Sequence, residues 1–138
     1  MIGILLITHG TLGEQLIECA THVLNKPAER LESLGVCAQD DPTTVYPTAL
    51  ERARKLDAGA GILVLTDMYG GTPSNIATKL VQPGKVEVVA GVNLPMLVRT
   101  LTYRERDLQT IVNKAISGGR EGVMRVSKFK LHHAATGS

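Results

Sequence analysis

Two side chains in this sequence combine reactive chemistry with a context that could use it: His9, in Thr8-His9-Gly10, and Asp67, which opens Asp67-Met-Tyr-Gly-Gly-Thr-Pro-Ser-Asn75. Neutral imidazole has a free ring lone pair near neutral pH, and a carboxylate on its other nitrogen fixes the tautomer. Such a carboxylate also helps the ring carry positive charge as it attacks a phosphoryl group, the part an aspartate plays for the histidine of a hydrolase triad. The oxygens of a transferring phosphoryl group need donors. Gly70, Gly71 and Thr72, running into a helix, offer backbone N–H groups, a hydroxyl and the positive end of a helix dipole. Gly10 can contribute from the other side, and glycine in these places permits close approach of the backbone.

Each of these residues also has a plain structural reading. A His-Gly at a strand end makes a turn, and an aspartate caps helices and turns. Gly-Gly-Thr-Pro-Ser can be a structural loop in which Thr72 caps a helix and Pro73 occupies its first turn. The chemical reading gains its weight from pairing, because His9 and Asp67 fall at the ends of two strands that should flank one crevice. His22 lies within a helical pattern and reads as a surface or flanking residue, and His132 and His133 read as solvated residues of a frayed tail.

Other chemistries lack their signatures. There is no GxxxxGK[ST] phosphate loop and no GxGxxG fingerprint, and the Cys and His spacings match no zinc site, so neither metal nor cofactor is expected. A net charge of +2 with 20% charged residues, and no run of like charges, argues against nucleic acid as a partner. The apolar start, Met1 to Thr8, is too short to span a bilayer and has no basic leader, which reads as a buried strand of a cytoplasmic protein without membrane insertion. Cys19 and Cys37 are expected to be buried thiols.

The elements that must position the pair alternate along the chain. Apolar runs at Ile2–Thr8, Leu31–Ala38, Gly61–Thr66 and Val86–Val89 read as strands. A helix after Gly10 turns Leu12, Leu16, Ile17, Ala20, Val23 and Leu24 inward until Pro27, and a second, announced by Asp40-Asp41-Pro42, buries Val45, Ala49, Leu50 and Ala53. A short helix through Ile76, Ala77 and Leu80 ends before Pro83-Gly84. Gly91-Val-Asn-Leu-Pro95 turns the chain into a Leu/Val-rich segment, Arg104–Ile116 predicts a helix ending at Gly118-Gly119, and Gly122–Lys128 predicts a last strand. With only 3% aromatic residues the core must be aliphatic, which suits helices on a parallel sheet. In the common 2-1-3-4 order of such doubly wound α/β sheets, strands one and three flank the switch point where ligands bind, and His9 and Asp67 leave those two strands.

Taken together, Thr8-His9-Gly10, Thr66-Asp67-Met-Tyr-Gly-Gly-Thr-Pro-Ser-Asn75 and Gly91-Val-Asn-Leu-Pro-Met-Leu97 resemble the mannose/fructose-type enzyme IIA domain of the phosphoenolpyruvate-dependent sugar phosphotransferase system. The resemblance spans nearly the whole chain, with a domain expected over residues 1–130 and a disordered tail over 131–138. It implies a mostly parallel sheet in the order 2-1-3-4 with an antiparallel C-terminal strand, and a homodimer that exchanges that strand. It also implies a phosphotransferase working through phosphohistidine: His9 accepts phosphate from phospho-HPr and passes it to an enzyme IIB partner, Asp67 is the partner of the histidine, and Thr72 with its glycines holds the phosphate. No IIB domain follows in this chain, so the acceptor is expected to be a separate protein, in transport or in regulation. The alternatives are a binding module controlled by phosphorylation and a tetrapyrrole metal chelatase, a class that also begins with a strand ending in His-Gly.

Overall fold

The computed structural model describes residues 1–127. Among the described residues nine elements follow one another: β1 (Gly3–His9), α1 (Leu12–Leu24), β2 (Leu31–Val36), α2 (Pro42–Leu56), β3 (Ile62–Thr66), α3 (Thr72–Thr78), β4 (Val86–Ala90), α4 (Leu94–Thr102) and α5 (Leu108–Glu121). The four strands form one sheet in the order β2-β1-β3-β4, every neighbouring pair parallel. β1 and β3 lie side by side at its centre, with Ile7 opposite Thr66, so the chain leaves both strands at the same edge of the sheet.

Alternation along the central strands divides the core into two layers. Ile4, Leu6, Leu63 and Leu65 face α1, α4 and α5, where Ala20, Leu97, Ile111 and Ala115 meet them. Leu5, Ile7, Ile62 and Val64 face α2 and α3, where Ala49, Ala53, Ile76 and Ala77 meet them. Burial on both faces is why β1 and β3 read as unbroken apolar runs. The helices start at side-chain caps where the sequence supplies them. Asp41 accepts from the Thr43 amide at 3.0 Å, Asn93 from Met96 at 2.9 Å and Asp107 from Thr110 at 2.9 Å.

Several expectations are corrected. The Leu/Val-rich segment after Gly91 is a helix, α4, because Asn93 caps it and Pro95 fits its first turn. The last helix begins after Asp107 rather than at Arg104, and it runs through Gly118 and Gly119 instead of ending there. Those glycines are packing residues: a Cβ on Gly118 would lie 2.9 Å from Arg99 Cβ, and one on Gly119 2.8 Å from Met96 Cε, so their absence lets α5 close on α4. The strand expected over Gly122–Lys128 is not formed by residues 122–127. Gly122 caps α5 and lies against Pro95, and the exposed Val123 and Val126 pair with no strand among the described residues. Lys128 and the tail 131–138, with His132 and His133, lie outside the described residues. Both cysteines are exposed free thiols: Cys19 sits on the outer side of α1, and Cys37 follows the end of β2. Leu12 and Val23, expected to face inward from α1, are exposed as well, while His22 is at the surface as expected.

Candidate functional site

β1 ends on His9 itself, one residue later than the apolar run suggests, and β3 ends on Thr66, so Asp67 is the first residue beyond the neighbouring strand. Although 58 residues separate them in sequence, the parallel register brings the two together. The Asp67 Oδ2 atom accepts two bonds from His9, one from its backbone amide at 3.0 Å and one at ring Nδ1 at 2.9 Å. Oδ1 accepts from the Met68 amide at 3.0 Å. Burial pushes the Asp67 carboxyl up, but the bonds from the His9 amide and ring and the charge of the ring outweigh it, and the net effect holds the group below its ordinary value of 3.8.

An ionised carboxylate only accepts, so the proton between the two groups belongs to Nδ1. The neutral ring is thereby fixed as the Nδ1–H tautomer with the Nε2 lone pair free. Exposure divides along the same line: the His9 side chain is 52% exposed and that of Asp67 11%. The orienting group is enclosed and the reactive one is open.

Gly71 lies against the free side of the ring. A Cβ there would stand 3.0 Å from His9 Cε1 and 3.3 Å from Nε2, tight enough to crowd the nitrogen. Gly71, and not Thr72, is the N-cap residue of α3, and it offers no side-chain cap. Thr72 is the first helical residue, one of those whose amides have no partner within a helix. Gly70 sits at φ +93°, a conformation suited to glycine, and carries the loop from the exposed Met68 and Tyr69 back toward the ring. Gly10 has φ +52°, but it does not open α1, which starts at Leu12, and its amide is bonded to the Val36 carbonyl at 2.9 Å. It shapes the turn after His9 instead of presenting a spare donor. On the other face of β1 the buried Thr8 hydroxyl accepts from the Gly13 amide at 2.8 Å and anchors the start of α1.

The contacts with β2 escaped the sequence reading: Val36 supplies the carbonyl that holds Gly10, and Gly35 lies under the same turn. A lone glycine inside a strand pattern is the signal that could have pointed to such a close backbone approach. Among the described residues no group of three or more His, Cys, Asp and Glu side chains could hold a metal ion.

This two-layered parallel α/β fold has relatives among known proteins. Residues 3–116 match the family described as the PTS system fructose IIA component, EIIA-man, and the chain belongs to that family. It is 35% identical over 137 residues to the mannose-specific EIIAB component of the phosphotransferase system of Escherichia coli K12, a match covering 97% of this chain and 42% of that protein. The chain thus spans less than half the length of the relative. Among solved structures, EIIA from Streptococcus agalactiae superposes with a TM-score of 0.82 at 26% identity, over 93% of this chain and 99% of that one. The mannose/sorbose-specific IIA subunit from Enterococcus faecalis has the same fold, with a TM-score of 0.80 at 22% identity, over 90% of this chain and 93% of that one. The chain is accordingly a phosphotransferase-system protein of the EIIA class, which sets aside the chelatase reading. Among the described residues no helix is long and apolar enough to cross a membrane.

Proposed function

We propose that the protein is a cytoplasmic phosphoryl carrier that takes a phosphoryl group on His9 Nε2 from phospho-HPr and passes it to an enzyme IIB acceptor. The observation that carries this reading is the 2.9 Å contact between Nδ1 and Asp67 Oδ2, which leaves Nε2 as the unprotonated nitrogen. In the first step the Nε2 lone pair forms a bond to phosphorus as the donor's phosphorus–nitrogen bond breaks, and the bonding pair returns to the donor histidine. Nδ1 keeps its proton, and the Asp67 carboxylate offsets the positive charge on the phosphorylated ring. Transfer to the acceptor runs the same sequence in reverse.

The group would sit beside Gly71, where the lack of a side chain leaves room at Nε2. The loop of Gly70, Gly71 and Thr72 would hold its oxygens through backbone amides and the Thr72 hydroxyl. Gly10 contributes through the turn that sets the height of the ring. Leu12, Met68 and Tyr69, exposed and close to His9 and Asp67 in the chain, give a protein partner apolar surface to meet. The family resemblance further supports a homodimer formed through the C-terminal segment, and sedimentation at the mass of one chain would remove that part of the proposal.

The test is intact-mass spectrometry after mixing the protein with enzyme I, HPr and phosphoenolpyruvate. The expected outcome is a gain of one phosphoryl group that disappears in His9→Ala and is discharged on adding a purified IIB protein. A wild-type protein that gains no mass beside competent enzyme I and HPr would overturn the carrier reading. A phosphoryl group held without onward transfer would point to a regulatory module.

A further inference from the structure

Strand β2 gives no side chain to the His9–Asp67 pair, yet the turn carrying His9 rests on it. In the β1–β2 register Thr8 lies opposite Gly35 and His9 opposite Val36. Just beyond, the Gly10 amide donates to the Val36 carbonyl at 2.9 Å. The carbonyl of Gly10 lies over Gly35, where a Cβ would fall on its oxygen. On the β3 side, the His9 amide donates to Asp67 Oδ2 at 3.0 Å. The turn at His9 is therefore held from both sides, by the backbone carbonyl of Val36 on β2 and by the side-chain carboxylate of Asp67 just beyond β3.

The nearest heavy atoms to a Cβ on Gly35 are the O, C and Cα of Gly10, so a side chain there meets the turn and not the core. Gly35 is exposed and is not among the residues with positive φ. Neither core crowding nor backbone conformation calls for glycine at this place, and in an ordinary strand conformation alanine would cost less chain entropy. What remains is the close approach of the Gly10 carbonyl.

We infer that Gly35 is a positioning residue for His9: its missing side chain lets the Gly10 peptide settle onto β2 and so sets the imidazole within bonding distance of Asp67. This rests on the proposed role of His9 as phosphoryl acceptor, but its geometric content does not. A methyl group on Gly35 lifts the Gly10 carbonyl, rotates the turn, and moves the ring relative to the fixed carboxylate and to Gly71. Displacement of a reacting group by about an ångström lowers rates by about 100-fold.

The experiment compares Gly35→Ala with Gly3→Ala. Gly3 lies at the opposite end of β1, where a Cβ would stand 2.5 Å from the Leu56 carbonyl oxygen, so both substitutions press a methyl group onto a backbone carbonyl at the sheet. Two readouts are taken: the two-bond 1H–15N spectrum of the neutral His9 ring, and the rate of phosphoryl uptake from HPr. In Gly35→Ala the ring is expected to move from the Nδ1–H form toward a mixture of tautomers, with about a 100-fold loss of rate. In Gly3→Ala thermal stability falls and the ring spectrum stays as in the wild type. A wild-type ring spectrum in Gly35→Ala, or the same ring change in both variants, overturns the inference. A wild-type protein that takes up no phosphoryl group overturns the carrier reading, and the ring spectrum still decides the role of Gly35. If Gly35→Ala does not fold, amide hydrogen exchange on the wild type decides. Gly10 N–H protected to the level of the β1 amides supports the anchor, and exchange at the rate of an exposed loop overturns it.

Discussion

The two ends of the β-sheet each hold a titratable side chain bonded to strand-end groups, and they use it in opposite ways. At the amino end Arg104, between α4 and α5, is 6% exposed, and its guanidinium donates to the carbonyls of Ile2 at 2.7 Å, Arg30 at 2.9 Å and Glu29. The Ile2 amide returns a bond to the Arg104 carbonyl at 3.2 Å. Burial lowers the Arg104 pKa from its ordinary value, but carbonyl bonds of this kind favour the charged form. At the carboxyl end His9 spends one ring nitrogen on Asp67 and turns the other toward Gly71 and solvent. A charged group whose two terminal nitrogens donate to three backbone carbonyls is a staple, here one whose buried Nε finds no partner among the described residues. A ring with one nitrogen fixed and one free is poised for chemistry. The difference lies in how many partners meet the polar atoms: three backbone carbonyls engage the guanidinium, whereas the Asp67 carboxylate alone engages the ring.

Three substitutions sharpen the contrast. The largest effect is expected from Asp67→Asn. All three groups facing the carboxylate are N–H donors or the ring nitrogen, so an amide NH2 must oppose either the Met68 amide or the His9 amide and ring. Phosphoryl transfer is expected to slow by about 1000-fold, within the range for a positioned acid–base partner, while the ability to be phosphorylated persists. Rates equal to wild type would make Asp67 a cap. The same variant gives a pH test. Because folding lowers the Asp67 pKa, its contribution to stability is present above the unfolded value near 3.8 and is lost as pH falls through the lower folded value. The stability difference between wild type and Asp67→Asn should thus hold from neutral pH down to about pH 4 and shrink below it, as read by urea unfolding.

Arg104→Ala tests the other end. Removing the guanidinium leaves the carbonyls of Ile2, Glu29 and Arg30 without it, and a loss of roughly 3 kcal/mol is expected in urea unfolding. Phosphoryl transfer per folded molecule should stay at the wild-type level. Wild-type stability would remove the staple, and a loss of transfer in fully folded protein would show that the two ends are coupled. The smallest effect is expected from Gly71→Ala, whose methyl group would sit 3.3 Å from Nε2. Rapid-quench kinetics should give a decrease of about tenfold, since the neighbour must yield only a few tenths of an ångström. No change would mean that the loop moves aside when a partner docks.

Legibility from sequence followed the range of the interactions. β1 and β3 were visible because a strand buried on both faces needs nothing but apolar residues, and both strand ends were marked by a change to polar residues and glycine. α4 was missed because Gly91-Val-Asn-Leu-Pro has the composition of a turn, and its helical role depends on Asn93 capping Met96 while its amide donates to the Gly119 carbonyl at 3.1 Å, 26 residues away. Gly118-Gly119 carried a stop signal locally, and contact with Arg99 and Met96 overrode it. The exposure of Cys19 and Cys37 likewise depends on which sides of α1 and β2 the rest of the chain covers.

The amino-acid sequence alone determined the class of fold, the alternation of strand and helix, and the presence of a histidine and an aspartate where two strands end, because periodicity and turn chemistry act over a few residues. Only the tertiary structure decided that Asp67 grips Nδ1 and leaves Nε2 free, that Gly71 stands against the ring, and that Gly35 underlies the turn. Those facts turn on distances of a few tenths of an ångström between segments joined through long crossovers, and such distances are settled only when both layers of helices have packed on the sheet.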